Sequence, residues 1–241
     1  MKDIVIATDN TPGIPAGEID DGLALLYLLG CQDRVCVRAI CTTHGNASTE
    51  LTNRATHVLA HALHPLLDDV PILRGADAPR YGMPSTADRE PSAAARLIAK
   101  SSGSNACLLS LGATTDLAAA ETLRPGTLAG YASIALMGGT TSTLVVGGRI
   151  MNELNFSVDG MATYRLFSTA SASSRVIPSA SLSLRSTLRW SASSSASVCV
   201  HFSLMRVTGW RRSPFRRSGS SPAGRRSWGG ACPAPPGSAR P

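Results

Sequence analysis

Three aspartates near the amino terminus carry the first chemical signal. Asp9 ends the short apolar run Ile4–Val5–Ile6. Asp20 and Asp21 open a leucine-rich segment on the far side of the loop "NTPGIPAGEI". An aspartate ending a strand projects at the carboxyl edge of a sheet. Aspartates at a helix start meet unpaired N–H groups and the positive end of the dipole. Any one of them alone reads as a helix cap. Grouped, they repel one another unless protons or a cation compensate them. Hard oxygen ligands select Ca²⁺ or Mg²⁺, and an irregular set of carboxylate, carbonyl and hydroxyl oxygens suits Ca²⁺ better. The trio is therefore expected to form a metal site.

Further small and polar stretches follow other apolar runs: "TTHGN" (Thr42–Asn46), "LGATTDL" (Leu111–Leu117) and "MGGT" (Met137–Thr140). Each alone is a turn. Together, at successive strand ends, they suit a ligand crevice, because glycine lets backbone approach a ligand closely.

These blocks, with "RGA" (Arg74–Ala76), "LSLGATTDLA", "ALMGGT" and "NELNFSVDGMAT" (Asn152–Thr163), resemble the inosine–uridine-preferring nucleoside hydrolases in content and order. That family opens on D-x-D-P-G-x-D-D and later carries E-F-N-x-x-x-D. The likeness covers roughly residues 3–167 and implies Ca²⁺-dependent hydrolysis of the N-glycosidic bond of ribonucleosides. It also implies a place in purine and pyrimidine salvage, and leaves room for a homo-oligomer. Carried over, Asp9 matches the metal-bound general base and Asp21 a Ca²⁺ ligand. Asp20 and Asn46 match ribose-binding positions, Leu111 a metal-binding backbone carbonyl, and Glu153 and Asn155 the pair on the outer sugar hydroxyls.

Departures from the pattern carry their own implications. Ala7 stands in place of the family's first aspartate, which also argues against a D-x-D-x-T phosphatase. The loop before Asp20 is longer, and its Glu18 reads as a solvated charge or as a substitute for the missing acid. The family's later metal-binding aspartate, beside a base-activating histidine, has no counterpart here. Residues 168–241 hold no aspartate, and their one histidine, His201, lies outside any matching context. The resemblance thus implies impaired or absent turnover. The alternatives are an inactive ribose- or Ca²⁺-binding module, or nucleic-acid binding through the tail.

The elements that must position these residues alternate. Strands are expected at Asp3–Thr8, Cys36–Thr42, Val70–Leu73, Ala106–Ser110 and Ser133–Met137. Helices are expected at Asp20–Leu29, Ser48–His64, Pro91–Lys100, Thr114–Leu123 and Gly160–Phe167. Such alternation predicts an α/β fold: a mostly parallel, Rossmann-like sheet with helices on both faces. Ligands bind beyond the carboxyl ends of such strands. The C-terminal part of the family fold is expected to be missing or replaced.

Charge divides the chain in the same place. The net +7 arises wholly after residue 167: the front holds all 16 acidic residues, whereas 168–241 holds 11 arginines and none. The front is therefore no nucleic-acid binder on charge grounds. The Ser/Arg/Pro-rich tail, with all three tryptophans, reads as disordered or as the product of a shifted reading frame. The cysteines form no CxxC pair, and free buried thiols are expected at Cys31, Cys36, Cys41 and Cys107. The N-terminus does not read as a signal peptide, and no apolar run reaches the length of a membrane span. A cytoplasmic protein is expected.

Overall fold

The β-branched run at the amino terminus forms the middle of β1 (Lys2–Thr8), which is buried from Ile4 onward. In the computed structural model the described residues are 1–15, 17–80, 90–140, 143–146 and 148–169, with the backbone of 174–175 and 197–199. Successive β1 side chains point to opposite faces. Ile4 and Ile6 enter one apolar cluster with Leu25, Leu29 and Ile40. Val5 and Ala7 enter another with Ile98, Leu117 and Leu136. A strand buried on both faces has no place for alternating polar residues, hence its continuous apolar run.

The chain continues through α1 (Asp20–Leu29), β2 (Val35–Thr42), α2 (Thr49–Ala62), β3 (Ile72–Arg74), α3 (Ala93–Ser101), β4 (Ala106–Ser110), α4 (Thr115–Leu123) and β5 (Ser133–Leu136). A hairpin, β6 (Leu144–Val146) and β7 (Arg149–Met151), leads to a single turn, α5 (Leu154–Ser157), and then α6 (Gly160–Thr169). Two short strands follow, β8 (Ser174–Arg175) and β9 (Ser197–Cys199). Among the described residues the main sheet runs β3-β2-β1-β4-β5-β9-β8, with every pairing parallel. Helices α1 and α2 supply residues to the first cluster, and α3, α4 and α6 to the second. The expected α/β architecture is present. The strand order reverses between β1 and β4, where such sheets open a crevice.

Register brings the strand ends level. Ala7 lies opposite Cys41 and Ser110, and Ser110 lies opposite Leu136. The ladder continues past the edge through Leu111 N to Ala7 O (2.8 Å), Thr43 N to Thr8 O (2.9 Å) and Met137 N to Ser110 O (2.8 Å). Thr43, Asp9 and Gly112 thus follow one another along the rim.

The expected tail, 168–241, lies outside the described residues apart from 168–169 and the two short strands. One compact unit covers Met1–Ser203, and a second, Leu204–Pro241, lies wholly outside the described residues. Cys31, Cys41 and Cys107 are free thiols, but Cys36 is disulfide-bonded, contrary to the expectation for it. Among the described residues no helix is long and apolar enough to cross a membrane.

Candidate functional site

The loop after β1 folds back through its own hydrogen bonds. Ile14 N donates to Thr11 O (3.1 Å), Gly17 N to Ile14 O (2.9 Å), and Thr11 Oγ1 to Glu18 O (3.0 Å). The extra loop length is taken up locally, and α1 still starts beside the end of β1. There Asp21, buried, accepts a hydrogen bond from Thr8 Oγ1. Glu18 is exposed, as a solvated charge would be.

Asp9 is 0% exposed. Its Oδ2 accepts the Asn46 N–H at 2.7 Å. Its Oδ1 is sealed from solvent and has no hydrogen-bond donor. Glycines on both sides make the room: a Cβ at Gly45 would overlap Asp9 Oδ2, and one at Gly112 would lie 3.0 Å from Asp9 Oδ1. A buried polar oxygen without a partner is costly, and a buried charge more so.

Electrostatics follow from that burial. Desolvation is the main cause raising the Asp9 pKa from 3.8 to about 6, against the opposing pull of the Asn46 N–H. Asp21 is pushed well above the ordinary carboxylate value, first by burial and then by the charge of Asp9. Asp20 is exposed, yet its charge raises both. The three carboxylates share one field, but as a buried pair with an outer third. Among the described residues, no three His, Cys, Asp or Glu side chains are grouped to hold a metal ion. What remains is a pair of hard carboxylates, one with an oxygen lacking any donor. That donor set fits a divalent cation such as Ca²⁺ or Mg²⁺, whose charge would offset the repulsion.

The other expected site residues are placed as follows. Asn46 meets Asp9 through its backbone. Leu111 is buried, and its carbonyl accepts from Asn155 Nδ2 at 2.7 Å; the same amide nitrogen donates to Met137 O at 3.0 Å. Asn155 thus ties the ends of β4 and β5 together. Glu153 caps α5, accepting from Asn155 N (2.8 Å) and Phe156 N (2.9 Å). Ala7 is packed in the apolar cluster with Val5 and Leu136.

Several polar groups at the rim escaped the sequence reading. Thr8 is the donor to Asp21, and its even spacing within β1 gives no hint of that. Asp116 is fully buried and raised by desolvation; it accepts from Ala76 N (3.1 Å) and from Ser92 Oγ (2.6 Å), the α3 cap. Asp159 and Thr115 are buried beside His44, whose pKa burial lowers. A cavity of about 200 Å³ is lined by Asp77, Arg80, Glu90, Ser92 and Asp116 among others, and neither Asp9 nor Asp21 borders it.

Comparison with known proteins adds independent findings. The sequence pattern described as "Inosine-uridine preferring nucleoside hydrolase" matches residues 6–207. No curated protein matches the chain. Among solved structures, the purine-preferring ribonucleoside hydrolase from Gardnerella vaginalis aligns with a TM-score of 0.57 and 23% identity, over 72% of this chain and 60% of that one. A plant nucleoside hydrolase aligns at 0.52 and 22%, over 72% and 58%. An inosine–guanosine nucleoside hydrolase aligns at 0.53 and 22%, over 69% and 58%. These likenesses support the fold, and the chain spans about three fifths of the length of those structures.

Proposed function

The chain belongs to the inosine-uridine preferring nucleoside hydrolase family, and from that premise we propose that its buried carboxylate pair serves Ca²⁺-dependent cleavage of the N-glycosidic bond of ribonucleosides. The products are ribose and the free base. The observation that carries the reading is Asp9 Oδ1: a sealed, donorless carboxylate oxygen beside a second buried carboxylate, at the point where the strand order reverses.

Cleaving that bond builds positive charge on the ribose, and carboxylates held at the rim stabilise it. A divalent cation, when bound, orients a water and makes it more acidic. Asp9 and Asp21 would hold the cation, with the Leu111 carbonyl oxygen, whose second lone pair is free of the Asn155 bond. Asp9 would serve as the general base for the attacking water. Asp20, exposed at the start of α1, holds a ribose hydroxyl, and the turn at Asn46 lines the same crevice. Glu153 and Asn155 would exchange internal hydrogen bonds for sugar hydroxyls on binding. Until then they fix α5 and the Leu111 carbonyl.

A second reading, ribose or Ca²⁺ binding without turnover, is favoured by one observation: residues 168–241 contain no acidic residue to supply the family's later metal ligand. We propose that this acid-free segment stems from a shifted reading frame, with the chemistry in residues 1–167; against this, the family match runs on to residue 207, and β9 (Ser197–Cys199) pairs with β5. Restoration of a histidine–aspartate pair by a one-base shift after the codon for Phe167 would support this; an acid-free segment in all frames would reject it. As a nucleosidase the chain would act in nucleoside salvage.

The functional test incubates the full chain with inosine, uridine and a chromogenic riboside, with and without Ca²⁺, alongside calorimetric titration of each ligand. Sugar release that needs Ca²⁺ supports hydrolysis. Binding without release supports the second reading, and neither binding nor release rejects both.

A further inference from the structure

Segments far apart in the chain meet at Asp159, the buried residue that precedes α6. Its Oδ1 accepts from Ala162 N at 3.0 Å. Its Oδ2 accepts from Arg80 N at 2.9 Å and from Thr115 Oγ1 at 2.8 Å. Thr115 is fully buried and has one hydroxyl proton to give. With that proton committed to Asp159, the Thr115 oxygen can only accept from its other neighbour, His44 Nε2, at 3.1 Å. The direction of the chain of bonds is therefore set from the carboxylate outward.

His44 begins the turn that reaches the candidate site. Two residues on, the Asn46 N–H meets Asp9 Oδ2 at 2.7 Å, and Gly45 between them packs against the Asp9 carboxyl with no room for a Cβ. The turn is held at one end by the His44 ring and at the other by Asp9. We propose that Asp159, Thr115 and His44 form a one-way hydrogen-bond relay that fixes His44 as its Nε2–H form and makes it a positioning residue for Asp9. The opposite tautomer would set a ring lone pair against the Thr115 oxygen and release that end of the turn. Burial favours the neutral ring, against the opposing charges of Asp159 and Asp77. The relay is a matter of geometry and holds whether or not this chain cleaves nucleosides.

The test uses the full chain labelled with ¹⁵N, and long-range ¹H–¹⁵N spectra of the histidine rings at neutral pH. Wild type is expected to show His44 protonated at Nε2 alone, and Thr115→Ser, which keeps the hydroxyl, to show the same. Thr115→Val should give a mixture of tautomers, and exchange of the Asn46 amide about tenfold faster, the scale of one lost hydrogen bond. A wild-type ring protonated at Nδ1, or a valine variant that changes neither signal, overturns the proposal. If Thr115→Val does not fold, the wild-type and serine spectra decide: Nε2–H in both supports the relay, and any other form overturns it.

Discussion

Replacing Asp9 by asparagine should stabilise the cation-free protein at neutral pH. The perturbation is nearly isosteric: the side-chain carbonyl can keep the Asn46 N–H, and the new amide nitrogen takes the place of the donorless Oδ1, beside Asp21. The magnitude follows from the pKa. A rise from 3.8 to about 6 means that the fold prefers the protonated form. Below pH 3.8 Asp9 is neutral in both folded and unfolded chains and costs nothing. Between 3.8 and about 6 the unfolded chain ionises first, and stability falls. Above about 6 both states are ionised, and the full cost, about 3 kcal/mol, is reached. Asparagine carries no charge at any of these pH values. Asp9→Asn should therefore match wild type near pH 4 and exceed it by up to about 3 kcal/mol at pH 7, or about 6–12 °C in Tm for a chain of this size. Urea titrations with a chelator present, followed by circular dichroism at both pH values, measure it. Ca²⁺ should then restore wild type and leave the variant unmoved. A variant less stable than wild type at pH 7 in chelator would refute the reasoning.

Two further substitutions probe the frame around the pair. Gly45→Ala places a methyl where Asp9 Oδ2 lies, so it should cost about 1–3 kcal/mol by overpacking and weaken cation binding; urea midpoints and calorimetry read the two effects, and a wild-type midpoint contradicts the packing. Asn155→Ala removes the donor shared by Leu111 O and Met137 O and should cost about 2–3 kcal/mol, while Asn155→Asp, which turns an anion on the same two carbonyls, should cost more. The reverse order of urea midpoints would show that the amide is not the strut.

What was legible in the sequence lies along single elements. The apolar runs locate β1, β2, β4 and β5 to within a residue or so, because a strand buried on both faces must be continuously apolar. The start of β3 falls two residues later than expected, at Ile72, because Pro71 has no N–H for the ladder and contributes only its carbonyl, to Ile40 N. The β6–β7 hairpin and α5 were missed. The Gly147–Gly148 pair between apolar runs was an available hairpin signal, and Glu153 ahead of Leu154 an available cap. At the site, Asp9 was placed by its strand and Asp21 by its helix. The internal hydrogen bonds of Glu153 and Asn155 were not readable, because a polar side chain that serves backbone looks the same in sequence as one that awaits a sugar. The relay was hidden for another reason: His44 and Thr115 stand 71 residues apart, and Thr115 and Asp159 stand 44 apart. No local pattern marks such contacts.

The claim on which the account turns is that Asp9 and Asp21 together bind a divalent cation. Calorimetric titration of Ca²⁺ into the chelator-stripped full chain at pH 7, beside Asp21→Asn, tests it most directly. One ion per wild-type chain, with binding lost in the variant, is the predicted result. A folded wild type that takes up no ion, or a variant that binds as wild type does, would contradict it.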